Sequence, residues 1–210
     1  MIIIQARSTS ERYPGKILER FAGTFLLDHI YQTCQTVGNT IVAVPTDDAC
    51  IPYLRTSNIP YFEGSENDVL LRYYKCAKEH KMDWIIRVTG DCPLINPANL
   101  LYTQFLASRH KVDFITNCLT NCIDGQEIEF VSFNALEWLC GNVESAYHRE
   151  HVTTWIKEHM DEFQINFKTL SWRDHMPPEL MPKMSVDTPD DLDRCRIIYN
   201  ETVNVCQSQS

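Results

Sequence analysis

The feature that most constrains this chain is the alternation of short apolar runs with longer amphipathic segments before residue 120. Met1–Gln5 is an apolar run that ends at a polar loop containing glycine and proline, which predicts a buried parallel strand. Similar runs predict further strands at Thr40–Val44, Pro60–Glu63, Asp83–Val88 and Asp113–Thr116. Apolar residues at helical spacing predict helices over residues 24–37, 49–57, 69–80 and 97–109. This alternation predicts an α/β fold, with helices flanking both faces of a mostly parallel sheet.

Local cap residues predict where three helices begin. Asn96 is a favourable N-cap, and the proline that follows suits a first helical position. Ser65, three residues before Asp68, resembles a capping box. Thr188 and Asp191 form the same pattern around a proline, which predicts a last helix running to about residue 203.

The pattern changes after residue 120. Glu127–Val131 and residues 163–170 alternate as half-exposed strands do, whereas residues 134–140 and 150–159 have helical spacing. We therefore expect residues 118–172 to form a small β-containing lobe. Because 210 residues are within reach of one hydrophobic core, we expect this lobe to lie inside a single domain, residues 1–210.

Charge and cysteine usage exclude several classes of protein. A formal net charge of -9 without runs of like charge argues against binding to a nucleic-acid backbone. The sequence has no apolar stretch of 18 residues and no basic segment before its first apolar run, so neither a membrane span nor a signal peptide is expected. Nine cysteines, an odd number spread singly, are typical of free thiols in a reducing compartment. These observations predict a cytoplasmic protein.

The loop after the first strand carries three cations, Arg7, Arg12 and Lys16, among hydroxyl-bearing residues. Ligands of open α/β sheets bind beyond the carboxyl ends of the strands, and such cations suit the oxygens of a polyphosphate. The loop has neither the Walker A spacing nor a G-x-G-x-x-G pattern. The alternative from spacing alone is a solvated turn with ordinary surface cations.

Two aspartates are candidates for a metal site. Asp91 follows a predicted strand and Asp187 precedes a predicted helix, so fixed elements would project both carboxylates into a crevice. Mg²⁺ in proteins is usually held by one or two carboxylates together with substrate phosphates and water. The alternatives are a turn residue at Asp91 and a helix cap at Asp187. Without metal, the two like charges are expected to repel each other.

Five blocks of sequence, in order along nearly the whole chain, resemble the SpsF-type and CMP-Kdo-synthetase-type cytidylyltransferases of the acylneuraminate cytidylyltransferase superfamily. The blocks are Ile3–Arg7 with Arg12–Lys16, Phe62–Leu70 with Arg72, Arg87–Ile95, Arg149–Thr153 and Val186–Leu192. The chain departs from the family pattern at Ser8–Ser10, at Glu11 and at Gln126.

The resemblance implies a nucleotide-diphospho-sugar-transferase-like (GT-A-like) fold and Mg²⁺-dependent transfer of CMP from CTP to a small acceptor. The acceptor would be an acidic sugar, a sugar phosphate or a phosphonate, used for surface polysaccharide or glycoconjugate precursors. The lobe of residues 118–172 would bind the acceptor and form a homodimer. The acceptor oxygen would attack the α-phosphorus in line, and pyrophosphate would leave. The metal would stabilise charge on the α-phosphoryl oxygens and the loop cations would stabilise the pyrophosphate, and no protein general base is assigned.

The resemblance also implies a set of site residues. The nucleotide would contact Gln5, Ala6, Arg7, Arg12, Lys16, Ser65 and Arg72. The catalytic residues would be Arg7, Lys16 and Asp91, and the metal ligands Asp91 and Asp187. The acceptor would contact Glu127, Glu129, Arg149, Glu150 and His151.

Two other functions are compatible with such a fold. A glycosyltransferase that consumes a nucleotide sugar would normally carry an Asp-x-Asp metal motif, and Asp91-Cys92-Pro93 is not one. A catalytically silent nucleotide-binding scaffold would not need Arg7, Lys16, Asp91 and Asp187 together.

Overall fold

The computed structural model describes residues 1–117, 123–160, 167–169 and 182–208. Over these residues the main sheet has seven strands in the order β5-β4-β1-β6-β8-β7-β9, and β2 and β3 form a separate two-stranded ribbon. The strands are β1 Ile2–Gln5, β2 Arg20–Phe21, β3 Thr24–Phe25, β4 Thr40–Pro45, β5 Tyr61–Gly64, β6 Trp84–Thr89, β7 Phe114–Thr116, β8 Glu129–Ser132 and β9 Phe167–Thr169.

The sheet is mostly parallel, as predicted. β1 pairs in parallel with both β4 and β6, β4 with β5, and β7 with β9. Among the described strands of this seven-stranded sheet, only β8 runs the other way, because it pairs antiparallel with β6 and with β7. The carboxyl ends of β1 and β6 therefore lie side by side at one edge of the sheet.

Helices cover both faces of the sheet. Ile2 and Ile4 of β1 pack into a core with α1, α4 and α8, whereas Ile3 packs into a second core with α3 and α5. This alternation follows from the two-residue repeat of a strand. The helices are α1 Leu26–Gln35, α2 Ile51–Thr56, α3 Val69–Glu79, α4 Pro97–Arg109, α5 Phe133–Asn142, α6 Ala146–Glu150, α7 Thr154–Glu158 and α8 Pro189–Ser208.

Two of the three predicted caps are confirmed. Asn96 Oδ1 accepts a hydrogen bond from the Ala98 amide at 2.9 Å. At the start of α8, Thr188 Oγ1 accepts from the Asp191 amide at 3.2 Å, and the Asp191 carboxylate accepts from the Thr188 amide at 3.0 Å. These reciprocal bonds satisfy amides that have no partner inside the helix.

The predicted capping box before α3 is wrong by one turn. Asp68 itself is the N-cap, since its carboxylate accepts from the Leu71 amide at 2.9 Å. Ser65 lies ahead of the helix, where its hydroxyl accepts from the Asp68 amide at 3.0 Å. Aspartate is among the strongest N-caps, which explains why the helix begins after Asp68.

The later part of the chain differs from its predicted pattern in two places. β8, expected in the lobe, belongs to the main sheet and separates β6 from β7. The helix expected over residues 150–159 is two helices, α6 and α7, interrupted where Val152 has a φ of 44°. A β-branched residue rarely adopts this conformation, and the Val152 side chain is fully buried. The strand expected over residues 163–170 is described only at Phe167–Thr169, and residues 118–122, 161–166 and 170–172 of the predicted lobe lie outside the described residues.

No helix in the described part of the chain is both long and apolar enough to cross a membrane. Six cysteines are free thiols, and all of them except Cys140 are buried: Cys34, Cys50, Cys76, Cys92, Cys140 and Cys195. Burial raises the pKa of Cys34 to about 12, so this thiol stays protonated at neutral pH. This agrees with the free thiols expected from the sequence.

Candidate active site at the carboxyl ends of β1 and β6

The loop after β1 is fixed by a carboxylate that sequence analysis missed. Asp48, three residues after the end of β4, accepts hydrogen bonds from the Ser8 amide at 2.8 Å and from the Ser8 hydroxyl at 2.6 Å. It also accepts from the Cys50 amide at 2.9 Å. Burial raises the pKa of Asp48, but these bonds favour the charged form and hold the pKa below its ordinary value. A buried carboxylate thus sets the conformation of the loop.

The loop and the end of β6 enclose a cavity of about 370 Å³, here called the loop cavity. Seven of the predicted nucleotide and metal residues line it: Gln5, Ala6, Arg7, Arg12, Lys16, Asp91 and Asp187. At Gly90, an added Cβ would lie 3.0 Å from the Gln5 carbonyl oxygen and 3.0 Å from the Ala6 Cβ. The ends of β1 and β6 therefore approach so closely that a side chain at position 90 would force them apart.

The two aspartates converge in this cavity, as expected, with a lysine between them. Lys16 Nζ lies 2.7 Å from Asp91 Oδ2 and 3.5 Å from Asp187 Oδ1. The two carboxylate oxygens cannot be farther apart than the sum of these distances. Asp187 also pairs with Arg12 at 2.8 Å and with Lys183 at 2.8 Å.

These cations overturn the expected repulsion between the carboxylates. Burial raises the pKa of Asp187, but hydrogen bonding to Lys183 and the charges of Lys16, Lys183 and Arg12 outweigh it, so the pKa is lowered. The charged form is therefore stabilised without metal. The helix-cap alternative for Asp187 is also wrong, because its carboxylate binds the three cations while Thr188 and Asp191 cap α8.

A second cavity, of about 480 Å³, adjoins the first and is here called the Glu129 cavity. Three residues line both cavities, namely Thr89, Asp91 and Asp187. The two aspartates therefore mark the junction between the cavities. The remaining lining residues of the Glu129 cavity are Arg87, Cys92, Asp124, Glu127, Glu129, His151, Thr153, Thr154, Lys157 and Ser185.

Glu129 is the buried charge of this second cavity, with 2% of its surface exposed. It pairs with Arg87 at 2.8 Å and with Lys157. Burial raises the pKa of Glu129, but these two cations outweigh it and hold the pKa at about 2. Arg87 also donates to Gln5 Oε1 at 3.2 Å, so the buried pair extends to the end of β1.

Glu127 lies at the rim of the same cavity. Its carboxylate accepts from the Gly125 amide at 2.8 Å, and burial raises its pKa. Gly125 has a φ of 92°, and an added Cβ would lie 2.4 Å from the Met184 carbonyl carbon. Only glycine fits this close approach.

Four predicted site residues line neither cavity: Ser65, Arg72, Arg149 and Glu150. The Arg149 guanidinium pairs with Asp68 at 2.7 Å, and it also donates to the carbonyls of Cys140 and Val143, so it joins α6 to α3 and α5. Arg72 is buried and donates to the Ser65 carbonyl at 2.6 Å. Glu150 is exposed at the end of α6. His151, in contrast, lies in the lining of the Glu129 cavity.

A larger cavity, of about 810 Å³, lies elsewhere, between α1, the start of α4 and α8. None of the predicted site residues lines it. Gln126, one of the departures from the family pattern, lines this cavity, and its side chain donates to the Leu94 carbonyl.

Comparisons with known proteins identify what the chain is similar to. A family model described as cytidylyltransferase matches residues 1–208. The spore coat polysaccharide biosynthesis protein SpsF of Bacillus subtilis is 26% identical, over 96% of this chain and 86% of that protein. A cytidylyltransferase from Leptospira borgpetersenii has a structure with a TM-score of 0.80 at 29% identity, over 90% of this chain and 82% of that one. The structure of CMP:2-keto-3-deoxy-manno-octonic acid synthetase complexed with CTP has a TM-score of 0.71 at 17% identity, over 96% of this chain and 98% of that one, and this likeness concerns the fold.

Proposed function

The chain belongs to the cytidylyltransferase family, enzymes that transfer CMP from CTP, and we propose that its acceptor is a small acidic sugar, sugar phosphate or phosphonate. The observation that carries the proposal is the junction of the two cavities at Asp91 and Asp187. One cavity is lined by the loop cations and the other by a mixture of charges and hydroxyls. Two substrates placed in these cavities would meet at the carboxylates.

The loop cavity suits the triphosphate of CTP. Arg7, Arg12 and Lys16 line it, and each can donate to phosphate oxygens. Arg12 has 66% of its side chain exposed, so it can turn from Asp187 to a ligand at low cost. In this placement the loop cations stabilise the charge on the departing pyrophosphate.

The junction suits a divalent metal. No group of three or more His, Cys, Asp or Glu side chains within the described ranges could hold a metal ion. Two carboxylates with phosphate oxygens are nevertheless the usual donors for Mg²⁺, so Asp91 and Asp187 fit that ion. When bound, Mg²⁺ would polarise the α-phosphoryl group and stabilise its developing charge.

The Glu129 cavity suits the acceptor. Arg87 and Lys157 would attract an acidic group, and Glu129 keeps both cations in place. Asp124 and Glu127 would accept hydrogen bonds from hydroxyl groups, with His151 at the same wall. Arg149 and Glu150 fall outside this proposed site because neither lines the cavity. Ser65 and Arg72 would support the segment between β5 and α3 from outside the loop cavity.

Three broader proposals rest on the family and the sequence. The name of the Bacillus subtilis relative supports a role in surface polysaccharide or glycoconjugate precursor synthesis. A cytoplasmic location agrees with the free thiols. A homodimer is the expected assembly, and sedimentation of the purified chain tests it.

Release of pyrophosphate from CTP tests the proposal. The purified chain is incubated with CTP, Mg²⁺ and a panel of acidic sugars, sugar phosphates and phosphonates, and we expect release that depends on both metal and acceptor. Asp91→Asn should abolish pyrophosphate release. Asp83→Asn, which changes an exposed aspartate just before β6, the strand that Asp91 follows, should not. Full turnover in Asp91→Asn, or release from GTP in preference to CTP, would contradict the proposal.

A further inference from the structure

The Lys16 ammonium lies at a position where three protein oxygen atoms converge on a cation. It has three N–H donors and three oxygen partners: Asp91 Oδ2 at 2.7 Å, the Val186 carbonyl at 2.6 Å and Asp187 Oδ1 at 3.5 Å. These oxygens come from the end of β6 and from the segment before α8. Only 7% of Lys16 is exposed, so protein oxygens have replaced most of its water.

The charges around the two carboxylates are already balanced. Asp187 faces Lys16, Arg12 and Lys183, and Asp91 faces Lys16. Lys183 is shared with Asp191, the cap of α8. A divalent cation added to this arrangement would lie close to the Lys16 ammonium, which repels it. It would also find no carboxylate that lacks a cationic partner, because Asp91 and Asp187 are both paired. Electrostatics therefore oppose metal entry in the free protein.

A bound triphosphate would reverse this balance. It adds several negative charges to the loop cavity, which Lys16 also lines. The Lys16 stem is long and flexible, so rotation of its side chain can carry the ammonium from the carboxylates to the phosphates. The aspartates would then lack a cation between them, and the phosphates would supply the metal's remaining oxygen ligands.

We propose that Lys16 is a tethered cation that holds the place between Asp91 and Asp187 in the free protein, so that the divalent metal binds only after the nucleotide has drawn the ammonium away. The inference rests on the proposed placement of CTP and metal, and it sets an order of binding. Lys16 would thus pair with the carboxylates before the nucleotide binds and with the phosphates afterwards.

Binding of Mn²⁺ without nucleotide tests this role, with electron paramagnetic resonance of free Mn²⁺ as the readout. Lys16→Met keeps the length of the side chain and removes the charge. We expect it to bind Mn²⁺ at least about tenfold more tightly than the wild type, since a unit charge a few ångströms from the ion is lost. Lys75→Met, the same change at an exposed position of α3 outside both cavities, should behave as the wild type. Equal Mn²⁺ affinity in Lys16→Met and Lys75→Met would overturn the proposal.

A measurement on the wild type keeps the test independent of the variant's folding. Enhancement of water-proton relaxation separates protein-bound Mn²⁺ from the Mn²⁺–CTP complex, and a non-hydrolysable CTP analogue prevents turnover. Saturable Mn²⁺ binding should appear only with the analogue, and saturation at the same Mn²⁺ concentration without it would also overturn the proposal. Neither measurement uses an acceptor, so failure to release pyrophosphate with any acceptor would count against the proposed function alone.

Discussion

Replacement of Asp48 by asparagine tests whether this buried carboxylate builds the loop of the active site. One oxygen of Asp48 accepts from the Ser8 hydroxyl and the Cys50 amide, and the other accepts from the Ser8 amide. In Asp48→Asn, one of these oxygens becomes an amide nitrogen that faces an N–H or O–H donor. The Ser8 carbonyl accepts from the Gly15 amide at 2.9 Å, so a displaced Ser8 disturbs both ends of the loop.

The structure gives the size of the expected effect. A hydrogen bond to a charged group contributes about 1.5–3 kcal/mol, and a buried donor left without a partner costs about 1–3 kcal/mol. Asp48 is only 6% exposed, so solvent screening is small. We therefore expect a loss of about 3 kcal/mol of unfolding free energy, which lowers the melting temperature by roughly 6–12 °C in a domain of this size. Displacement of the loop cations should lower kcat/KM for CTP about tenfold or more.

Asp47→Asn is a matched control. Asp47 is the neighbouring residue, it is exposed, and its φ of 60° is a conformation that asparagine tolerates. The melting temperature of Asp47→Asn should stay near that of the wild type.

The effect of Asp48 should also depend on pH. Because the pKa of Asp48 is lowered in the folded state, its stabilising effect is present above the pKa of this group in the unfolded chain and is lost as pH falls through the folded value. The difference between wild type and Asp48→Asn should therefore narrow below about pH 4. Equal melting temperatures of Asp48→Asn and Asp47→Asn at pH 7 would refute this account.

Three further predictions concern the two cavities and their proposed ligands. Asp187→Asn should lower the melting temperature, because three cations lose a carboxylate, and should abolish metal-dependent pyrophosphate release; unchanged stability would contradict the ion-pair geometry. Glu129→Gln should cost about 3–5 kcal/mol in denaturant unfolding, because the half-buried cations Arg87 and Lys157 lose their buried partner, whereas exposed Glu137→Gln should not. Since the folded pKa of Glu129 is about 2, this cost should be complete above about pH 5 and should vanish as pH falls towards 2. CTP with Mg²⁺ should raise the melting temperature of the wild type more than ATP or GTP does, and a larger shift with GTP would contradict a cytidine pocket.

The parts of the fold that depend on local chemistry could be predicted from the sequence. The caps of α4 and α8 join residues no more than three positions apart, so Asn96, Thr188 and Asp191 indicate them directly. The strands of the parallel half show as apolar runs because both faces are buried. These features need no knowledge of how distant segments meet.

The parts that depend on distant pairing could not be predicted. The alternation over Glu127–Val131 indicates a strand but does not specify its neighbours, and β8 enters the sheet through pairing of Ser132 with Trp84. Similarly, the apolar spacing over residues 150–159 fits one helix as well as two. Burial of Val152 with a positive φ, which divides α6 from α7, is set by tertiary packing.

The candidate site shows the same division. Residue type and position, after a strand or before a helix, indicate the loop cations and the two aspartates as candidates, and the resemblance to the family favours them over the alternatives. Their partners were not indicated, because Asp48 lies 40 residues from Ser8, and Asp68 lies 81 residues from Arg149. Arg149 illustrates this limit, because it lies at a position that matches the family's motif, yet its guanidinium joins three helices and lines neither cavity.

Lys16 shows why composition alone misjudges such a site. Loop cations next to a strand end suggest a phosphate-binding loop, yet in the structure Lys16 and Arg12 pair with the carboxylates expected to hold metal. In the proposed site, the same cations would neutralise two different anions, namely protein carboxylates before the nucleotide binds and phosphates afterwards. A charge removed from this set changes the free protein as well as the complex. Loss of activity in a Lys16 variant therefore does not by itself identify a phosphate ligand, whereas a gain in nucleotide-free metal binding identifies the ammonium's place between the aspartates.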